Sequence, residues 1–123
     1  MIEVICDTNF LVHLATKNIK NISTIDTEIG SIKFVVPQVV LTELEKLKTD
    51  PTKKAKIEAT LNFVEKFDKI PIKGDFADEQ ILSHVQKKGG FVATLDKELK
   101  HKLKERGASV ISLSNDRIVL EAK

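Results

Sequence analysis

Two short apolar runs in this chain each end on an aspartate: Ile2–Cys6 leads into Asp7, and Phe91–Leu95 leads into Asp96. Runs this short, flanked by polar and turn-forming residues, suit buried β-strands better than helices. Each is followed at once by residue types that start helices. Asp7-Thr8-Asn9 offers N-cap chemistry before Leu11, Leu14 and Ala15 recur at helical spacing, and Asp96 precedes a charged segment carrying Leu99 and Leu103. A strand that hands over directly to a helix, twice, is the beginning of an α/β alternation.

The rest of the chain continues it. Phe34-Val35-Val36 reads as a second strand, with Pro37 opening a helix that carries Val40, Leu44 and Leu47 inward. Asp50-Pro51-Thr52 breaks the chain before a helix over about 53–67, with Ile57, Leu61 and Val64 on one face. Ile70-Pro71-Ile72 suits a strand near an edge, because proline cannot donate to a ladder. A helix is expected over about 77–88, ended by Gly89-Gly90. A basic helix is expected over 97–106, ended by Gly107, and Val110–Leu113 as the last strand. The polar stretch between the first two strands predicts a short helix around Thr24–Ile29, stopped by Gly30. Strands alternating with helices give a three-layer α/β/α fold around a mainly parallel central sheet of about five strands, forming one domain over residues 1–123.

No apolar run approaches the roughly 20 residues of a membrane span, and the N-terminal MIEVICD lacks the form of a signal peptide. Cys6 is the only cysteine, so no internal disulfide can form; it reads as a buried strand residue, and a reducing cytoplasm is the expected location. The net charge of +2 does not by itself mark a polyanion binder, but the lysines cluster, in 46–56 and again in 97–106. In the second cluster Lys97, Lys100 and Lys104 share one helix face. They are either an ordinary solvated face or a track for a nucleic-acid backbone.

The informative residues are carboxylates where burial is expected. Asp7 and Asp96 sit at strand ends, where sites form in sheets of this kind. Glu43 lies three residues after Val40 and four before Leu47, and Asp78 three before Ile81 and four before Leu82, so helical spacing puts both on apolar stripes. Singly, each has an ordinary explanation as a cap, a first-turn acid or an edge residue. Jointly, four acids converging on one pocket repel by about 4 kcal/mol per pair at 4 Å and an effective dielectric near 20. Such a pocket calls for hard divalent cations with oxygen ligands, Mg²⁺ or Mn²⁺. A metal-loaded acidic pocket suits phosphodiester hydrolysis. His13, His84 and His101 show no ligand spacing, and there is neither a phosphate-binding glycine loop nor a serine–histidine or cysteine–histidine arrangement.

Four segments then resemble the acidic motifs of the PIN-domain nucleases. They are Cys6-Asp7-Thr8-Asn9, Val39-Val40-Leu41-Thr42-Glu43-Leu44, Ala77-Asp78-Glu79-Gln80-Ile81 and Ala93-Thr94-Leu95-Asp96-Lys97-Glu98-Leu99, in that order along essentially the whole chain. The resemblance implies a single PIN-like domain and a metal-dependent ribonuclease. It implies Asp7, Glu43, Asp78 and Asp96 as metal-binding catalytic acids, with Asn9, Thr94 and Thr8 in support. Lys97, Lys100, Lys104 and Arg117 are the expected RNA contacts. Phe76-Ala77-Asp78-Glu79, the segment around Asp96, and Ser114-Asn115-Asp116-Arg117 together are most similar to the nucleases that mature small-subunit ribosomal RNA, although Asp116 stands where that branch tends to carry a basic residue. VapC-type toxins of toxin–antitoxin pairs share the four acids and are the second resemblance. An RNA-binding module with little activity is a third reading. RNA is the expected partner, with a homodimer and an antitoxin or ribosome-assembly partner left open.

Overall fold

Val4, Ile5 and Cys6 are all buried although successive side chains of a strand face opposite ways, which places their strand in the middle of a sheet covered on both faces. The computed structural model of the chain describes residues 2–17, 19, 26–27, 30–115 and 117–121. Its elements are β1 (Ile2–Cys6), α1 (Thr8–Thr16), β2 (Asp26–Thr27), β3 (Gly30–Pro37), α2 (Gln38–Leu47), α3 (Lys54–Val64), β4 (Asp68–Ile70), α4 (Ala77–Lys88), β5 (Phe91–Ala93), α5 (Lys97–Glu105), β6 (Ser109–Ser114) and β7 (Arg117–Leu120).

The sheet runs β2-β3-β1-β5-β6-β7, with β4 also paired to β3. The pairs β1–β3, β1–β5, β3–β4 and β5–β6 are parallel and form the body of five strands, but the strand expected at Ile70-Pro71-Ile72 lies earlier, at Asp68–Ile70, because Pro71 has no N–H to continue the ladder. Two antiparallel strands are added to it. β2 pairs with the start of β3, and β7 folds back on β6. The short helix expected around Thr24–Ile29 is corrected here: Asp26 and Thr27 lie in β2, opposite Ser31 and Gly30, while the rest of that stretch lies outside the described residues. A polar segment without a clear apolar period had no local reason to be helical, and the free edge of β3 supplied ladder partners instead.

The chain steps from β1 outward through β3 to β4, then returns across to β5 and continues to β6. Right-handed crossovers therefore place α1 and α3 on one face and α4 and α5 on the other. Phe10 of α1, Phe34 of β3 and Phe67 after α3 stack in a row across the first face, at ring separations of 5.8 and 6.0 Å. Pro37 does not open α2 from inside but caps it from the end of β3, at φ −63° and ψ 144°. α3 stops earlier than expected because Lys69 Nζ donates to the carbonyls of Val64, Glu65 and Phe67, satisfying the helix end. Gly89, at φ 68°, ends α4 where a left-handed residue is required. Among the described residues no helix is long and apolar enough to cross a membrane.

β1 is the strand at which the sheet's connections change direction. Asp7 follows it, beside the end of β5, at the switch point where open α/β sheets place their ligands.

Candidate active site

Asp7 is held from three directions. Its backbone N–H donates to Ala93 O at 3.1 Å, continuing the β1–β5 ladder by one step. Its Oδ1 accepts the Phe10 N–H at 2.9 Å, capping α1. Its Oδ2 accepts the Thr94 hydroxyl at 2.5 Å. Thr94 is fully buried, donates its own N–H to Ile111 O, and accepts the Asp96 N–H on the same hydroxyl oxygen. β5 ends at Ala93 and not at the expected Leu95, because the Thr94 hydroxyl turns to Asp7 and Asp96, so one threonine joins the aspartate at the end of β1 to the one that caps α5. Asp96 uses Oδ1 to cap α5, accepting from Glu98 N and Leu99 N at 2.9 and 3.1 Å.

Glu43 and Asp78 arrive from above the sheet's carboxyl edge. α2 leaves the end of β3 and α4 follows the end of β4, so the early turns of both helices lie over that edge. Here the expected inward burial is corrected: Asp78 and Asp96 are exposed and Glu43 is half-buried, and of the four acids only Asp7 is buried, at 4% exposure. Helical spacing gave the right direction, but the two helices leave an open cleft at these positions, while their neighbours Val39, Val40 and Ala77 are buried.

Two of the four acids feel their neighbours. Burial pushes the Asp7 carboxyl up to about 6; hydrogen bonds from Thr94 and Phe10 oppose this, and repulsion from Asp78 and Asp96 adds to it. Asp78 is also raised, by burial and then by Asp96 and Glu43, with Lys102 acting against them and Glu98 with them. Asp7 therefore senses Asp78 and Asp96, and Asp78 senses Asp96 and Glu43. A cleft of about 370 Å³ is lined by Glu43, Phe76, Ala77, Asp78, Glu79 and Lys102. An adjoining recess of about 100 Å³ takes in Asp96 and Glu98 and shares Asp78 and Lys102 with the cleft. A groove of about 430 Å³ elsewhere, among Ile5, Ile70, Pro71, Ile72 and Phe91, is mostly apolar and has only Glu3 for a carboxylate. That groove lacks the paired carboxylates that the acid cleft brings together.

The donor set is all oxygen, as hard cations require, and among the described residues Lys102 is the cation that acts on Asp78 against its acidic neighbours. Thr8, adjacent to Asp7, buries a hydroxyl that has no hydrogen-bond partner among the described residues, a position suited to a water. In chemistry these residues fit Mg²⁺ or Mn²⁺. In geometry they stand apart: among the described residues no three His, Cys, Asp or Glu side chains gather closely enough to hold a metal ion.

The lysines divide differently from the expected shared face. Lys97 is exposed, but Lys100 Nζ pairs with Glu121 Oε2 at 2.7 Å and Lys104 Nζ with Glu121 Oε1 at 3.0 Å, so these two are not a free basic surface. A helical period shows which lysines share a face, not which distant acid meets them. Lys102, which sequence reasoning passed over, is the cation that lines both parts of the acid cleft. It lies at i+4 from Glu98 and pairs with it at 3.3 Å, a spacing that was legible. Asn9 is exposed in the first turn of α1, beside Asp7. Arg117 is exposed at the start of β7, opposite Ser114, on the same carboxyl edge but beyond β6.

A family model described as a PIN-like domain matches residues 4–116. Ribonuclease VapC9 of Archaeoglobus fulgidus is 31% identical over 117 residues, covering 94% of this chain and 85% of that protein. Ribonuclease VapC4 of Methanocaldococcus jannaschii is 28% identical over 117 residues, covering 90% and 89%. The solved structure of the PIN domain endonuclease Utp24 superposes with a TM-score of 0.76 at 28% identity, covering 97% of this chain and 90% of that one. With the family model spanning nearly the whole sequence, the chain belongs to the PIN-like domain family.

Proposed function

We propose that this protein is a divalent-metal-dependent endoribonuclease that hydrolyses RNA phosphodiester bonds at the cleft of Glu43, Asp78 and Asp96, with Asp7 joined to it through Thr94. The observation that carries this reading is geometric: Thr94 ties Asp7 to Asp96 at the sheet's switch point, and Asp96, Asp78 and Glu43 line the adjoining recess and cleft. A bound divalent cation supplies the positive charge that lets the acids ionise together and that offsets charge developing on the phosphate. Asp7, Glu43, Asp78 and Asp96 would hold it. Thr94 fixes the Asp7 carboxylate and, through the Asp96 N–H, the start of α5. Thr8 and Asn9 flank Asp7 and are suited to orient a water beside it. Lys102 offers a cation to a phosphate entering the cleft, with Lys97 and Arg117 further along the same edge.

The ribonuclease and endonuclease named among the similar proteins support this chemistry. For the substrate, the resemblance of the Phe76–Arg117 segment favours processing of small-subunit ribosomal RNA. The two VapC ribonucleases favour a second reading, a toxin paired with an antitoxin. Cleavage of single-stranded and structured RNAs in Mn²⁺ or Mg²⁺ tests the chemistry. Activity lost on adding chelator and in Asp96→Asn is expected, and full activity in either condition would refute it. Growth arrest on induced expression, relieved by the product of an adjacent gene, would decide for the toxin; a defect in small-subunit rRNA maturation on deletion would decide for processing.

A further inference from the structure

Phe76 is the one large hydrophobic residue left exposed among the described residues, at 65%. It occupies the N-cap of α4, the position where Ser, Thr, Asp or Asn closes a helix by accepting a backbone N–H, and it makes no such side-chain bond. A phenylalanine there gives up the cap and also leaves its ring in water. Folding stability explains neither feature. The ring has a specific neighbourhood instead: it lines the acid cleft with Glu43, Asp78 and Lys102, two residues before Asp78 in the chain.

We propose that Phe76 is a stacking platform for one unpaired RNA base at the acid cleft. The inference rests on the ribonuclease reading and adds to it a residue that holds the base. An aromatic face beside a cation is the recurrent device for holding single strands: the ring takes the base and the cation takes the backbone. Lys102 supplies the cation, and its surface pairing with Glu98 is weak enough to yield to a phosphate. In a duplex the base faces are covered by their neighbours, so the ring has nothing to receive. Every base has a π-face, so the platform does not select for sequence.

The test is binding by the full chain, in Ca²⁺ to slow cleavage, of a labelled mixed-sequence single-stranded RNA and of a blunt duplex. Phe76→Ser is expected to weaken single-strand binding roughly five- to 150-fold, to leave duplex binding unchanged, and to melt no lower than wild type. Phe76→Trp restores binding and Phe76→Leu does not. These two keep a large apolar side chain, so they decide the matter even if serine alters the helix start. A 2-aminopurine in the strand is quenched by wild type and by Phe76→Trp only. Equal single-strand binding by wild type and Phe76→Ser overturns the inference, as does full binding by Phe76→Leu, which would make the residue an apolar contact of the kind a protein partner uses. A wild type that neither binds nor cleaves RNA overturns the ribonuclease reading itself. Wild-type cleavage with indifferent Phe76 variants overturns this inference alone.

Discussion

Asp7 and Glu121 are both sheltered carboxylates, and the protein poises them oppositely. Asp7 is pushed up to about 6, because burial and the neighbouring acids Asp78 and Asp96 outweigh the hydrogen bonds it receives from Thr94 and Phe10. Glu121 also feels burial, but hydrogen bonds from Lys100, Ser112 and Lys104 outweigh it and bring the group down to about 2. The difference is cations. Glu121 has two lysines within 3.0 Å and is neutralised by the chain itself, which ties α5 to the residue that follows β7. Asp7 has acids for neighbours, so its ionised state is incomplete until positive charge comes from outside. A sheltered acid that the fold has balanced is structural; one that the fold has left unbalanced marks a place for a ligand.

The largest expected effect breaks the comparison at Asp7. Asp7→Asn keeps an acceptor for the α1 cap and removes the charge. Cleavage should fall by at least about 100-fold, the upper end of what losing a supporting partner of a metal ligand costs. Stability should move the other way. With the native group near 6 and the unfolded group near 3.8, the native state holds its proton longer as pH rises. Wild-type stability therefore falls between about pH 4 and 6 and stays lower above, by about 3 kcal/mol. Urea melts in chelator from pH 4 to 8 should show that decline in wild type and a smaller one in Asp7→Asn, where Asp78 is still raised. A divalent ion should recover stability in wild type only.

Glu121→Gln breaks the comparison from the other side. The native group is near 2 and the unfolded group near 4.5, so its contribution is present above pH 4.5 and lost as pH falls towards 2. Solvent reaches a side chain that is 23% exposed and screens these pairs, leaving about 1–2 kcal/mol at pH 7. Thermal melts should show that loss at pH 7 and little of it at pH 2, with cleavage per folded molecule unchanged.

The smallest effect sharpens the contrast among lysines. Lys102→Ala should reduce the slope of log RNA affinity against log salt by about 0.7–0.9, the share of one phosphate contact. Lys100→Ala with Lys104→Ala should leave that slope unchanged and lower the melting temperature instead, because those charges are already spent on Glu121.

Much of the frame was legible because it is written in local patterns. α4 spans the residues expected of it, and its glycine stop is in place, since an amphipathic period and a terminator are both short-range signals. Asp7 was visible as a strand-end acid and Asp96 as a helix cap for the same reason. The β6–β7 hairpin was also written locally but went unread: Asn115 sits at φ 52°, a left-handed position asparagine tolerates, between two alternating runs. Asp116 itself lies outside the described residues. Not legible was anything that needed two distant segments at once. The Thr94–Asp7 bond spans 87 residues of chain and exists only because β5 pairs beside β1.

By itself the sequence determined the alternation of strands and helices, the acids between strand and helix, and an oxygen-rich chemistry suited to divalent ions, because backbone period and side-chain chemistry are carried residue by residue. Tertiary structure alone decided which acid is buried, which lysines are spent and which remains in the cleft, and that Phe76 faces solvent there. Burial and charge pairing are properties of what the fold brings alongside a residue, and strand order and helix placement set those neighbours.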